Sequence, residues 1–232
     1  MPKIFIIFSQ VVLISFLSCW LNLLYRQNKG ELSFPHKYPC PWQWRSVKII
    51  VLSGIIGVLA VLCLPESAMA GRLTELYGIF STPSALNPQD EHAFFFIIYS
   101  SFLLIMLWSD VEQQIIMNQH LALFAVFGLC FQLLTQPQAL CLQLVTATAS
   151  GMIFLLMAIL TRGGIGGGDI KLLAAMGLWL TPEAMGLTAV GGIVLGGLAA
   201  LLALVSKRKS RRDYIPYGPN FIVMALLAYL AY

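Results

Sequence analysis

Long apolar runs separated by short polar joints make up nearly the whole chain. Runs almost free of charge cover residues 4–24, 47–64, 94–108, 121–134, 139–160, 170–180, 184–205 and 221–232. Because a bilayer core of about 30 Å takes about 20 helical residues, the pattern predicts an all-α polytopic membrane protein with about eight transmembrane helices. The sixth run has only 11 residues. At 1.5 Å per residue it covers roughly 16 Å, about half of the hydrocarbon core. For the crossing to be completed before Pro182, the glycine-rich stretch just ahead of it has to lie within the membrane.

Composition agrees with the pattern. Of the 232 residues 59% are hydrophobic and 10% charged, with a mean hydropathy of +0.82, against about 25% charged in a soluble domain. The net charge of +4 does not make a nucleic-acid surface, because the basic residues follow the joints. Arg26, Lys29, Lys37, Arg45 and Lys48 come after the first run, Arg162 and Lys171 flank the glycine stretch, and Lys207, Arg208, Lys209, Arg211 and Arg212 follow the seventh run. With alternating spans these 12 of the 14 Lys and Arg share one side, which the positive-inside rule makes cytoplasmic. The N-terminus is then outside the cytoplasm, and "MPKIFIIFSQVVLISFLSC" is read as a retained helix rather than a signal peptide, since its one lysine is outvoted by five bases beyond the span. The joint 66–92 falls on the outer side and reads as a loop.

Five scattered cysteines contain no C-x-x-C pair, so neither a zinc nor a redox motif is present. Cys130 and Cys141 flank the outer "LLTQPQ" turn; buried free thiols are expected there in preference to a disulfide.

Catalytic groups are few in a membrane enzyme, and exclusion narrows them. His36, His92 and His120 form no H-E-x-x-H pair, and no G-x-S-G occurs. Carboxylates remain. Under the predicted topology the inner side holds Glu31, Asp110, Glu112, Asp169 and Asp213; Glu31 and Asp213 sit among bases as solvated partners. Asp110 and Asp169 each lie where an apolar run meets the cytoplasmic side with little other charge nearby, and Glu112 suits an exposed charge at headgroup level. Asp169 follows five glycines in "GGIGGGD". Glycine permits positive φ and close approach of another chain, irregular backbone at membrane depth must be enclosed by protein or line a wet cavity, and an acid there is a functional candidate. Two such aspartates in one pocket would share a proton, so that one removes a proton from water while the other polarises a carbonyl.

Four ordered motifs resemble the type IV prepilin peptidases, the bifunctional leader peptidase/N-methyltransferases. "GGGDIKLLAAMGLWL" is similar to their GxGD signature, with Gly166, Gly168 and Asp169 as the signature and Lys171 after it. "SDVEQQIIMNQHL" resembles the segment of the first catalytic aspartate, D-x-E-x-x-x-I-P-N: Asp110, Glu112, Ile116 and Asn118 fit, and Met117 stands at the proline. "CWLNLLYR", with Asn22 and Arg26, resembles G-S-F-L-N-V-V-I-Y-R near the end of the first span. "YIPYGPNF", with Pro216, Gly218 and Pro219, resembles I-P-F-G-P before the last helix.

The resemblance implies one transmembrane peptidase domain over residues 1–232, in the bacterial cytoplasmic (inner) membrane. It implies an aspartyl endopeptidase, with Asp110 and Asp169 catalytic, that cuts the basic leader from type IV pilus prepilins or type II secretion pseudopilins at the cytoplasmic face, usually after a glycine. In many members S-adenosylmethionine then methylates the new N-terminus. Here the cytoplasmic loop 25–46 is short, with Cys40 as its only cysteine, in place of a larger domain with two C-x-x-C pairs. No metal is therefore expected, and methyl transfer is left open. Two other readings compete: another GxGD membrane protease of the preflagellin peptidase kind, and a non-enzymatic transporter or assembly protein in which Asp169 binds a proton or cation. The GxxxG spacing of Gly192 and Gly196 reads as helix packing under any of them. Nothing in the sequence identifies the oligomeric state.

Overall fold

The computed structural model describes residues 3–28, 32, 48, 49, 51, 52, 55, 88–162, 164–205 and 217–231. Among the described residues seven α-helices have both ends defined, in order: α1 Lys3–Gln27, α2 Pro88–Gln113, α3 Asn118–Thr135, α4 Leu140–Leu160, α5 Gly167–Met176, α6 Pro182–Val205 and α7 Gly218–Ala231, with a 3₁₀ turn at Pro137–Ala139. No strand occurs among the described residues. Seven of the eight predicted spans correspond to these helices. Most of the second, 47–64, and the joint that follows it lie outside the described residues.

Burial separates the helices into a centre and a rim. Every residue of α2 from Phe95 to Met106 is buried, as expected of a helix apolar on all sides. In α4 and α6 only 22% of the apolar window is buried, against 78% in α2. Met152, Ile153, Leu156 and Ile159 of α4, and Val190, Val194, Leu198 and Leu202 of α6, are exposed. Faces of that size suit lipid, not water. Five of the described helices are long and apolar enough to cross a membrane and a sixth apolar helix, Gly218–Tyr229, is shorter, so the chain is a multi-pass membrane protein.

Small residues set how closely the outer helices approach. A methyl group on Gly191, Gly192 or Gly196 of α6 would strike Met224, Phe221 or Tyr217 respectively. The latter two confirm the packing role expected of the Gly192/Gly196 pair. α7 is also tied inward: Tyr99 of α2 donates its hydroxyl to the Ala225 carbonyl at 3.1 Å, and Phe154 of α4 meets Phe221 edge-on, centroids 5.3 Å apart. Together these contacts hold the amino end of α7 among α2, α5 and α6.

The short α5 is supported in a way the sequence did not suggest. It stops at Met176, and buried irregular backbone fills residues 177–180 before α6 begins. Its carbonyls are met by side chains from neighbouring helices: Gln132 Nε2 donates to Leu178 O at 3.2 Å and Ser150 Oγ to Leu173 O at 3.2 Å. With its amide turned to suit its neighbours, Gln143 donates to Leu180 O at 2.8 Å and Gly177 O at 3.1 Å. Trp179 stacks between Phe124 and Phe131, centroids 5.3 and 5.6 Å away, and donates Nε1–H to Phe124 O at 3.0 Å. Irregular backbone enclosed by protein thus lies after α5. In the glycine stretch before it, Gly164 and Gly167 are exposed and Ile165 and Gly166 half-buried.

Cys130 and Cys141 also differ from expectation. Both are free, as expected, but exposed rather than buried. Each lies on a rim helix whose outward face is apolar, so a thiol there faces outward with the leucines instead of filling the core.

Candidate active site

Asp110 occupies the last turn of the central helix. α2 ends at Gln113, and Gln114 adopts φ 55° with its N–H bonded to the Asp110 carbonyl at 2.8 Å, a left-handed helix cap that glycine usually makes. A side chain in that region costs about 1–2 kcal/mol. The turn is held from outside: Ser109 Oγ donates to Ile115 O at 2.7 Å, and Tyr25 of α1 donates its hydroxyl to Ser109 Oγ at 3.2 Å. Met117, at the place of the family's proline, sits at φ −67° and ψ 121°. That is the φ a proline ring would impose, so the loop keeps its path without one.

Asp169 enters from the first turn of α5, where Gly166 is the N-cap at φ −69° and Asp169 is the third helical residue. A carboxylate in this place is favoured by the positive end of the helix. Gly164, Gly166, Gly167 and Gly168 do not adopt positive φ. The described non-glycine residues with positive φ are Gln114 and Arg162, whereas a methyl on Gly167 would meet nothing within 4 Å. A methyl on Gly168 would make an ordinary contact with Ile116 at 3.5 Å, so the glycine stretch lies against the loop that follows Asp110. Lys171 Nζ donates to Asn118 Oδ1 at 3.1 Å across the same junction.

The two aspartates meet at the amino end of α7. A Cβ built on Gly218 would stand 2.5 Å from Asp110 Oδ2 and 2.9 Å from Asp169 Oδ1. By the triangle inequality those oxygens are at most 5.4 Å apart (2.5 plus 2.9). Each aspartate is 4% exposed, and the Oδ2 atoms of both are buried without a hydrogen-bond partner among the described residues. Two buried carboxyls this close cannot readily both ionise. The arrangement suits one proton shared between them, which equips the pair to act as base and acid toward water and a carbonyl.

The other predicted residues fall around this pair or away from it. Asn118 and Lys171 are exposed beside it, Glu112 is half-buried rather than exposed, and Pro219 follows Gly218 in the first turn of α7. Asn22 is half-buried and Arg26 exposed near the end of α1, and Pro216 lies outside the described residues. Sequence reasoning passed over Tyr25 and Ser109. The local signals were slight: Ser109 stands directly before a candidate acid, and Tyr25 lies in the "CWLNLLYR" motif.

Residues 97–201 match the model of the type IV leader peptidase family. The chain is also similar to a prepilin leader peptidase/N-methyltransferase of Bacillus subtilis (strain 168), with 28% identity over 134 residues, which covers 58% of this chain and 54% of that protein. The matched region thus spans about half the length of this curated relative. No solved structure matches. The segment that bears both aspartates is thus similar to the type IV leader peptidase family.

Proposed function

We propose that this protein is a membrane-embedded aspartic endopeptidase that removes the basic leader from type IV prepilins or pseudopilins at the cytoplasmic face of the bacterial inner membrane. The observation that carries the reading is the convergence of Asp110 and Asp169 on Gly218, from helices far apart in sequence. In the proposed reaction one ionised carboxylate takes a proton from water as the oxygen attacks the scissile carbonyl. The protonated partner hydrogen-bonds the carbonyl oxygen, and a proton then passes to the leaving amine as the C–N bond breaks. A transporter would need a path through the bundle, whereas the pair lies at one end of it, beside the loops.

S-adenosylmethionine, when bound by a relative, supplies the methyl group for the second activity of the family. Asn22, half-buried, and Arg26, exposed, lie in the segment that the resemblance links to that activity. Methyl transfer is no part of the proposed reaction. The test is to incubate the purified protein with a prepilin carrying a basic leader, a glycine and an apolar helix, and to weigh the products. Cleavage directly after the glycine supports the reading, and an intact substrate counts against it. The mass of the new N-terminus also reports methylation.

A further inference from the structure

The mechanism uses two carboxyls, and a third element touches both. Gly218 is buried, and it is the first residue of α7. The position its Cβ would take lies 2.5 Å from Asp110 Oδ2, 3.2 Å from Asp110 Cγ and 2.9 Å from Asp169 Oδ1. Real Cβ atoms do not sit that near to other atoms. The backbones that carry the two carboxyls are held, Asp110 in a helix turn pinned by the Tyr25–Ser109–Ile115 hydrogen bonds and Asp169 in the first turn of α5, so the carboxyl groups themselves would have to turn aside.

The glycine is not required by its own backbone, since Gly218 is the first residue of a helix and its φ lies outside the left-handed range. Nor does α7 have freedom to back away. Tyr217 and Phe221, on either side of Gly218, fill the space left by Gly196 and Gly192 of α6, and the Tyr99 hydroxyl grips the Ala225 carbonyl one turn further on. Helix α7 is therefore packed so that bare main chain, and nothing larger, reaches the carboxyl pair. The same placement brings the positive end of α7 to the single negative charge that a proton-sharing pair carries.

We propose that Gly218 is a positioning residue: the hydrogen in place of its side chain is what allows Asp110 and Asp169 to approach one another closely enough to act as a unit. The functional half of this statement rests on the aspartic peptidase reading above. The geometric half does not. An added methyl would wedge the carboxyls apart, and a displacement of about 1 Å among reacting groups costs on the order of 10²-fold in rate.

Two measurements on the full-length protein in detergent separate the halves. Gly218→Ala is compared with Gly197→Ala, whose added methyl meets nothing within 4 Å. Gly218→Ala is expected to lower kcat for leader cleavage by roughly 10²-fold with KM nearly unchanged; cleavage at the rate of Gly197→Ala would overturn the proposal. The thermal midpoint is then measured for Gly218→Ala in the wild-type background and again with Asp110→Ala and Asp169→Ala both present. A loss of midpoint that disappears when both carboxyls are gone supports the wedge, even where the wild-type background folds poorly. An equal loss in both backgrounds would overturn it. This cycle needs no activity, so it stands or falls apart from the peptidase reading.

Discussion

Lys171 Nζ and Asn118 Oδ1, 3.1 Å apart, tie the helix that carries Asp169 to the helix that follows Asp110. The bond lies at the exposed rim, where water competes with it, so its net contribution is expected to be at most about 1 kcal/mol. Lys171→Met and Asn118→Ala should each slow leader cleavage several-fold without abolishing it. The double variant should be no slower than the worse single one, because both remove the same bond. Steady-state rates of the three variants check this, and a complete loss in either single variant would show that the residue takes part in the chemistry itself.

Glu112, two residues past Asp110, provides a contrast within one helix turn. It is half-buried, but it is not one of the carboxyls that meet at Gly218. Glu112→Gln should retain substantial cleavage of the same prepilin. Activity as low as that of an Asp110 variant would mean that a third acid is essential.

A carboxyl pair that shares one proton works only between its two titrations. Below the first, both groups are protonated and neither can take a proton from water; above the second, both are ionised and neither can polarise the carbonyl. The plot of kcat against pH is therefore expected to be bell-shaped. A rate that rises through one titration and stays high across the alkaline range would contradict the acid role of the second carboxyl.

Away from the site, the sharpest steric demand is at Gly177. Its Cβ would fall 2.6 Å from Ala147 Cα and 2.8 Å from Ala147 N, and backbone cannot swing aside as a side chain can. Gly177→Ala is expected to destabilise the fold by about 1–3 kcal/mol or more, read as a lowered thermal midpoint in detergent. An unchanged midpoint would mean that α4 and α5 are not packed as described.

Much of this architecture could be read from the chain, for physical reasons that also explain the misses. Apolar runs report spans directly, and a carboxylate at the end of such a run is conspicuous because its burial is costly; Asp110 and Asp169 stood out on those grounds. Their meeting with Gly218 did not, since that contact joins three helices and leaves no local periodicity. The resemblance marked Gly218 as part of a motif without saying what the glycine is for. The enclosed irregular segment 177–180 was no more legible, because its carbonyls are met by Gln132 and Gln143 from elsewhere in the chain. Cys130 and Cys141 were expected to be buried by a rule for soluble cores, which does not hold for a rim that faces lipid.

In the proposed reaction Asp110 and Asp169 perform the cleavage together. Asp→Asn keeps the shape of each side chain and removes its ability to ionise or to share the proton, so the decisive measurement is prepilin processing by Asp110→Asn and by Asp169→Asn. Each should be compared at equal membrane abundance with the unaltered protein. Each variant is expected to insert and accumulate normally while cleavage falls by at least about 10²-fold, and the double variant should be no worse than either single one. Full processing by either single variant would contradict the account.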